Sequence, residues 1–321
     1  METIPCPLCG SRDAVVVARH RDRMLGIEGE FTMTRCAGCG LLYLNPQPGP
    51  EELARYYPES YEPYLAGTEG ASSRLKRLSL EYGLAKRCRV VTRYKESGRL
   101  LEIGCANGLF LDAMRRRGDW DVQGVDISPH AVSSARERLG LDVFLGSLHE
   151  AQFAGGSFDV VVMWDVLEHV HDPAATLAEI RRILAPDGLL IFRLPQLDAW
   201  ERRWFGPYWS GWDAPRHLTL FSRRTLGLML ARSRFRIEKM ACISGGYLTF
   251  VLSVRFWARE HLSARGQRWL RVVLESLPLR LLTAPLFYVI DRLQKSTVVT
   301  VVARPNNLRD VGQMGQFAPH P

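Results

Sequence analysis

Hydrophobic positions in the middle of the chain follow two alternating patterns. Short apolar runs typical of buried strands alternate with segments whose apolar residues recur at helical spacing. The predicted strands are 99–103, 121–125, 143–145, 158–163 and 189–194, and the predicted helices are 109–117, 129–139 and 172–184. Near-continuous apolar strands separated by helices predict a doubly wound α/β domain with a mostly parallel sheet. Ligands of such domains bind at the carboxyl ends of the strands.

The pattern changes on both sides of this domain. Short strand-like segments precede it, and a long stretch of helical spacing rich in arginine follows a strand at 235–243. The predicted divisions are 1–47, a small N-terminal unit; 48–98, a linker with N-terminal helices; 99–244, the core; 245–296, a basic amphipathic helical insert; 297–305, a closing strand; and 306–321, a disordered tail.

Composition and charge narrow the classes of protein. Hydrophobic residues at 46% and charged residues at 24% are globular values, which excludes disordered and fibrous chains. The net charge of +8 is uneven: residues 1–50 carry 0, residues 99–200 carry −6 and residues 201–321 carry +12. A uniformly basic nucleic-acid binder has a different distribution. The start of the chain lacks a secretory signal, and no apolar run is long enough to cross a bilayer, so we expect a cytoplasmic protein.

Four of the seven cysteines lie near the start of the chain. Cys6, Cys9, Cys36 and Cys39 form a C-x2-C-x26-C-x2-C arrangement, in which each two-residue gap lets both thiolates of a turn face one ion. This spacing predicts a zinc ribbon whose metal is structural, because protein ligands fill all four positions. The alternative is a pair of disulfides, which the missing secretion signal disfavours.

A glycine-containing turn closes the first strand of the core. Residues 102–108 read EIGCANG, and Asp126 ends the second strand 18 residues after Gly108. Glycines at this turn allow a ligand close to the backbone, and an acid at the second strand can accept both ribose hydroxyls. A tight turn without a ligand and a dinucleotide site are the alternatives. The carboxylate of Glu102 disfavours a pyrophosphate and suits a cationic or amine-bearing ligand.

Four blocks of the sequence together resemble a known family. The runs LEIGCANGLFLDAM, VQGVDIS, GSFDVVVMWDVLEHVHDP and LAPDGLLIFRLP, within about residues 80–240, are similar to class I S-adenosylmethionine-dependent methyltransferases. Together with the N-terminal ribbon they resemble methyltransferases that act on nucleotide-linked sugars and related small molecules. The resemblance implies a seven-stranded Rossmann-like sheet with S-adenosylmethionine as cofactor.

The resemblance also implies roles for individual residues. Glu102 matches the acid near the methionine amino group, Asp126 matches the ribose acceptor, and Ile127 matches the residue that packs on adenine. Ala106 replaces the middle glycine of the family's turn, and Ser147 stands where the family often has an acid, which weakens adenine recognition. The implied cofactor-binding set is Glu102, Gly104, Cys105, Ala106, Gly108, Asp126, Ile127, Ser147, Leu148 and Trp164.

Candidate acceptor-side residues follow the fifth strand. His217 matches a histidine of sugar C-methyltransferases and is the candidate general base. The family often has an acid before this histidine, whereas this chain has Arg216, so Arg216 gripping an anionic acceptor and a structural role for His217 stay open. Glu168, His169 and His171 are expected to anchor a turn rather than act in catalysis.

Two segments each allow two interpretations. Residues 200–212 contain six aromatic side chains, which form either part of the core or, as we favour, a wall over the acceptor. The insert is either a helical cap or dimer contact, which we favour, or a membrane-surface element with its peripheral contact through residues 255–295.

The prediction is therefore a cytoplasmic S-adenosylmethionine-dependent methyltransferase with a structural zinc ribbon. The expected acceptor is a small sugar-containing molecule that is phosphate-bearing or lipid-linked. Methylation of ribosomal or transfer RNA is one alternative, but a nucleic-acid partner is not expected because the ribbon has no net charge. A catalytically idle scaffold that binds the cofactor is the other alternative.

Overall fold

The structure is a computed structural model that describes residues 1–58, 74–243 and 246–306. The predicted tail, except for its first residue, lies outside these ranges. The strands are β1 (Ala14–His20), β2 (Phe31–Cys36), β3 (Leu42–Leu44), β4 (Gly98–Ile103), β5 (Trp120–Asp126), β6 (Asp142–Leu145), β7 (Phe158–Trp164), β8 (Leu184–Pro195), β9 (Thr219–Leu220), β10 (Phe235–Ala241) and β11 (Val298–Pro305).

The helices lie between these strands. They are α1 (Pro50–Ala54), α2 (Arg74–Thr92), α3 (Leu109–Arg115), α4 (Pro129–Leu139), α5 (Pro173–Ile183), α6 (Trp200–Phe205), α7 (Arg223–Arg232), α8 (Gly246–His261), α9 (Ala264–Glu275) and α10 (Leu277–Arg292). Several begin where the sequence supplies a cap: the side chains of Ser128, Asp172 and Ser222 each accept a hydrogen bond from the first turn of their helix.

The main sheet has seven strands in the order β10-β11-β8-β7-β4-β5-β6. Strands β4 to β8 pair in parallel, and β11 is antiparallel to both of its neighbours. The predicted doubly wound, mostly parallel sheet is confirmed. One boundary is wrong: β8 begins at Leu184, five residues before the predicted start, and helix α5 ends at Ile183. The pairing of β7 with β8 shifts register at this point, where Pro186 and Gly188 are tolerated in the strand.

Side chains alternate across the sheet and bury both of its faces. On one face, Leu101 and Phe192 join a core with residues of α5 and α7. On the other face, Leu100 and Ile191 join a core with residues of α2 and α3. Helices cover both faces, so the functional site must lie at the strand ends.

The N-terminal unit is joined to the main domain by hydrogen bonds and by packing. Strand β3 pairs antiparallel with β9, so Leu42 is opposite Leu220 in a second, four-stranded sheet. The Arg224 guanidinium donates to the carbonyl oxygen of Cys39 at 2.8 Å, and Arg232 donates to that of Leu8. The four-stranded sheet therefore contains strands from both sides of the predicted division at residue 47, because residues 219–220 form its fourth strand.

Three helices fill the region between β10 and β11. Helix α8 packs on the segment that follows α6, where the backbone N–H of Ser210 donates to Ser253 Oγ at 2.9 Å. Its Glu260 also pairs with Arg21 and Arg23 of the N-terminal unit. Over the ranges that the structure describes, no single helix has the length and hydropathy to cross a bilayer; α9 and α10 reach that level only as a pair bent by 66°.

Candidate functional site

The turn after β4 has the backbone of a ligand-binding loop. Gly104 and Gly108 have φ values of +70° and +78°, and a Cβ on either would come within 2.6 and 2.4 Å of Val166 and Leu141, respectively. Ala106 lies between them at φ +47°, in the left-handed region where the family has glycine. The thiol of Cys105 is buried against β5. The turn therefore keeps the form that the glycine pattern predicts, although one position is alanine.

Asp126 at the end of β5 supports this turn. Its two carboxylate oxygens accept hydrogen bonds from the backbone N–H groups of Ala106 and Ser128, each at 2.8 Å. Burial raises the pKa of Asp126, and these backbone hydrogen bonds oppose the rise. Each oxygen keeps a second lone pair, which a ribose hydroxyl can use. The neighbouring Ile127 is 64% exposed, which leaves its apolar side chain available to an adenine ring.

Glu102 lies in the sheet directly before the turn and is almost completely buried. Within the described ranges its Oε2 has no hydrogen-bond partner. Burial raises the pKa of Glu102 well above its ordinary value, against the opposing charge of Arg87 in α2. A buried acceptor without a partner is costly, and an ammonium group would satisfy it and favour its ionised form. The site therefore fits the amino group of S-adenosylmethionine.

The remaining residues predicted to bind the cofactor differ in their burial and in their contacts. Ser147 and Glu150 cap each other after β6, because the Ser147 N–H donates to Glu150 Oε2 at 2.7 Å and the Glu150 N–H donates to Ser147 Oγ. Leu148 is buried in the core. Trp164 ends β7, with its ring packed edge-on to Phe110 at 5.4 Å and under the Arg87 guanidinium. The motifs did not indicate Arg87, which lies in the basic helix before the core.

His217 is held in one tautomer. Its Nδ1 lies 2.8 Å from the carbonyl oxygen of Gly211, and since a carbonyl only accepts, Nδ1 carries the hydrogen. In the neutral ring, Nε2 therefore has a lone pair. Nε2 lies 4.0 Å from Glu168 Oε1 and 3.9 Å from Asp213 Oδ2, so two carboxyl groups face it beyond hydrogen-bond distance.

Burial and neighbouring charges set the protonation of this cluster. Burial lowers the pKa of His217, although the charge of Asp213 opposes this change. Burial and the neighbouring His217 lower the pKa of His169 to about 3. Burial favours the neutral form of Asp213, but Arg216 outweighs it and holds the pKa of that carboxyl below its ordinary value. Glu168 is 1% exposed, and its pKa is raised well above normal by burial and by Asp165. At neutral pH the cluster therefore combines neutral histidines with an ionised Asp213.

The other predicted acceptor residues have structural partners. Arg216 is fully buried and pairs with Asp22 and Asp213, each at 2.6 Å, so the predicted grip on an anionic acceptor is wrong. His171 Nε2 lies 2.9 Å from the carbonyl oxygen of Pro48, which is the turn-anchoring role expected of it. His169 Nδ1 lies 2.9 Å from the hydroxyl of Tyr57, a contact that no local sequence signal indicated.

The aromatic segment after β8 is divided between core and surface. Trp209 and Trp212 are buried, and Trp212 stacks on His20 with ring centroids 4.4 Å apart, as the core interpretation requires. Trp204 is 52% exposed. A small cavity of about 10 Å³ borders Trp212 and Asp213. Its other lining residues include His20, Arg21, Arg23 and Phe256.

The four N-terminal cysteines converge on one point. Their Sγ atoms all lie within 4.8 Å of one another, with Cys6 and Cys39 at 3.5 Å and Cys9 and Cys36 at 3.4 Å. A tetrahedral zinc with bonds of about 2.3 Å separates its sulfurs by about 3.8 Å, which is close to this spacing. The residues therefore fit a zinc ion. All seven cysteines lie in the described ranges, and each is a free thiol.

The sheet order and the glycine turn followed by Asp126 are features of the class I S-adenosylmethionine-dependent methyltransferase fold. A family model for the methyltransferase domain matches residues 75–239, more than half of the chain, and the chain belongs to this family.

Curated relatives match a shorter segment. The ubiquinone biosynthesis O-methyltransferase of Neisseria meningitidis serogroup A is 33% identical over 101 residues, which are 29% of this chain and 42% of that protein. The Cereibacter sphaeroides (strain ATCC 17025) protein of the same name is 42% identical over 98 residues, 29% of this chain and 39% of that protein. The chain thus spans about two fifths of the length of these relatives.

A solved structure covers more of the chain. Burkholderia thailandensis 1,6-didemethyltoxoflavin-N1-methyltransferase, with bound 1,6-didemethyltoxoflavin and S-adenosylhomocysteine, matches 91% of this chain and 100% of its own with a TM-score of 0.50. The two sequences are 13% identical, so the likeness concerns the fold.

Proposed function

We propose that this protein transfers a methyl group from S-adenosylmethionine to a hydroxyl of a small sugar-containing acceptor, with His217 as the general base. The observation that supports this is the fixed tautomer of His217, whose Nδ1 is held by Gly211 while Nε2 faces two carboxyl groups. A base of this kind is useful when the acceptor atom loses a proton as it is methylated.

Different residues of the chain would bind the cofactor and accept the proton. S-adenosylmethionine, when bound, supplies an electrophilic methyl group. Glu102 and Asp126 would hold the amino group and the ribose, which orients the cofactor at the strand ends. Nε2 of His217 would take the proton of the acceptor hydroxyl as the oxygen forms its bond to the methyl carbon, while the carbon–sulfur bond breaks and S-adenosylhomocysteine leaves with the electron pair. The ionised Asp213, 3.9 Å from Nε2, would stabilise the imidazolium that results.

Charge supports an acidic acceptor, either phosphate-bearing or lipid-linked. Residues 201–321 carry a net charge of +12, which favours an anionic acceptor. Arginine recognises phosphate through paired hydrogen bonds. The buried Arg216 is excluded from that role because Asp22 and Asp213 occupy it.

Transfer of a labelled methyl group tests the function. Purified protein and methyl-labelled S-adenosylmethionine are added to host-cell extract, which is then separated into lipid, RNA and small-molecule fractions. We expect label in the aqueous small-molecule fraction, or in the lipid fraction if the acceptor is lipid-linked. Label in RNA would establish the RNA methyltransferase alternative, and no label in any fraction would favour the cofactor-binding scaffold.

The role of His217 is tested by His217→Gln with the identified acceptor. Loss of a general base lowers kcat by about 10²- to 10⁴-fold, while cofactor affinity stays unchanged because Glu102 and Asp126 remain. Since burial lowers the pKa of His217, wild-type activity should stay level as the pH falls towards 6.5 and decline only below it. His130→Gln, on the exposed face of α4, is the matched control. Equal kcat in His217→Gln and wild type would contradict the assignment.

We also propose that Cys6, Cys9, Cys36 and Cys39 bind one structural zinc ion. Cys6, Cys36 and Cys39 belong to the buried core of this region, Cys9 packs against it, and bound metal would contribute directly to the folding of the N-terminal unit. Reduced thiolates suit a reducing compartment, which supports the predicted cytoplasmic location.

Metal analysis tests the zinc site. We expect about one zinc per chain, retained in Cys242→Ser and lost in Cys36→Ser, and a lower Tm after treatment with a chelator. Cys242 is a suitable control because it is buried far along the chain, beside Gln196 and Ser296. Freshly reduced protein without zinc would contradict the assignment.

A further inference from the structure

Helix α10 carries an apolar face that is exposed along its whole length. Five of its apolar residues, and Leu293 directly after it, are 48 to 77% exposed, with Leu282 the most exposed. The 16 residues of the helix span about 24 Å at the rise of an α-helix. Phe287 and Ile290 are buried on its opposite side. The exposed set, called here the α10 stripe, is Leu277, Leu281, Leu282, Leu286, Val289 and Leu293.

Helix α9 carries a different exposed face. Trp269 is 68% exposed and Val272 is 71% exposed, and Arg265 and Arg268 are exposed on the neighbouring turn positions. Leu274 is buried on the other side. Arginine next to tryptophan and an aliphatic side chain is the composition of helices that lie at the boundary between lipid headgroups and acyl chains.

We propose that α9 and the α10 stripe dock on an anionic phospholipid membrane. A contiguous exposed apolar surface of this kind marks an interaction site on a folded protein. The charge of this segment favours an anionic partner, because residues 246–296 hold eight basic and three acidic side chains. Of the three acids, Glu260 pairs with Arg21 and Arg23, and Glu275 pairs with Arg271. The outward field is therefore positive and complements anionic headgroups.

Two other arrangements fit less well. A second copy on the same face would bring two positively charged surfaces together, which opposes association. A bilayer-spanning arrangement would place Arg265, Arg268 and Arg271 of α9 in the hydrocarbon layer, where charged side chains are costly. A helix pair bent by 66°, with three arginines on α9 and the exposed aliphatic stripe on α10, suits a position in the plane of the interface.

Vesicle flotation tests the proposal with the full chain and without any methyl acceptor. We expect the protein to float with phosphatidylcholine vesicles that contain one quarter phosphatidylglycerol, and much less with phosphatidylcholine alone. The substitution Leu282→Ser with Leu286→Ser should lower the partition at least about tenfold, because each leucine loses its apolar contact with lipid. Arg265→Gln with Arg268→Gln should lower binding to anionic vesicles by roughly 30-fold at low salt and by less at high salt.

The matched control is Val16→Ser with Leu78→Ser, two exposed apolar residues outside the insert, and it should float like wild type. Because both leucines of the test variant are more than half exposed, the circular dichroism spectrum and Tm should be unchanged. Absence of wild-type protein from the anionic vesicle fraction would overturn the proposal, as would equal flotation of the leucine variant. A wild-type dimer that the same variant converts to monomer would assign the stripe to a second copy instead. Because flotation needs no methyl transfer, this test is independent of the proposed function.

Discussion

Asp126 holds the glycine turn through both of its carboxylate oxygens, which accept from the backbone N–H groups of Ala106 and Ser128. We propose that the remaining lone pairs accept hydrogen bonds from the ribose of the cofactor. We therefore expect Asp126→Ala to weaken the binding of S-adenosylmethionine by at least about 100-fold, because hydrogen bonds to a charged group contribute about 1.5 to 3 kcal/mol each. Isothermal titration calorimetry measures this change directly.

The control for this prediction lies on the same strand. Asp121 is an exposed acid at the start of β5, so Asp121→Asn alters the charge of the strand at the end away from the glycine turn. Its affinity for the cofactor should equal that of wild type. Unchanged affinity in Asp126→Ala would remove Asp126 from the cofactor site.

Residues of the cofactor turn could be predicted from sequence because their contacts are local. Glu102, Gly104 and Gly108 lie within seven positions, and Asp126 follows on the next strand. The acceptor side could not be predicted in this way: Tyr57 meets His169 across 112 positions, and Arg216 meets Asp22 across 194. Such contacts depend on how the N-terminal unit docks, which no periodicity or motif describes.

At the scale of elements, a buried ion cluster joins the β1–β2 loop to the segment before β9. Arg216 is completely buried between Asp22 and Asp213, and it also donates to the carbonyl oxygen of Tyr56. Arg216→Ala would leave two buried carboxylates without their cation. We expect a loss of about 3 to 5 kcal/mol in the free energy of unfolding, measured by urea denaturation.

An exposed arginine is the comparison for this variant. Arg203→Ala in α6 removes the same type of side chain from the surface and should change the free energy of unfolding by at most about 0.5 kcal/mol. If Arg216→Ala keeps wild-type stability and loses affinity for an anionic acceptor, the structural role of Arg216 is wrong and its acceptor role returns.

Strands with a clear apolar pattern in their own sequence could be predicted. Strands that depend on a neighbouring strand could not. Strands β4 and β7 bury near-continuous apolar stretches, and they and β5 match their predicted positions within about two residues. Strand β9 has only two residues, and it is a strand because β3 lies beside it. The start of β8 depends likewise on an irregular pairing with β7.

Across the whole molecule, the parts that flank the core contact one another. The N-terminal unit pairs with β9, α8 contacts both that unit and the segment after α6, and the Trp209 indole donates to Thr297 Oγ1 at the start of β11. Divisions drawn along the sequence treat these parts as separate units. The structure instead joins them by strand pairing, hydrogen bonds and an ion pair, so we expect a substitution in one part to affect the stability of the others.

Glu201 provides a test of that coupling. It is fully buried, and Thr249 of α8 and Thr297 both donate to its Oε2, at 3.0 and 2.6 Å. Burial raises its pKa to about 7, although these hydrogen bonds oppose the rise. An acid with a raised pKa in the folded state contributes stability below its unfolded value of about 4.5, and this contribution is lost as the pH rises through about 7. Glu201→Gln stays neutral, so its free energy of unfolding relative to wild type should rise by up to about 3 kcal/mol between pH 4.5 and 8.

The comparison needs only the difference between the two pH curves, because every other titrating group is common to both proteins. Glu137→Gln, on the exposed face of α4, should give a curve parallel to wild type. Parallel curves for Glu201→Gln would mean that Glu201 is ionised in the folded protein, with water reaching the contact between α6, α8 and β11. A difference that grows with pH would instead show that Glu201 is neutral in the folded protein and that this contact excludes water.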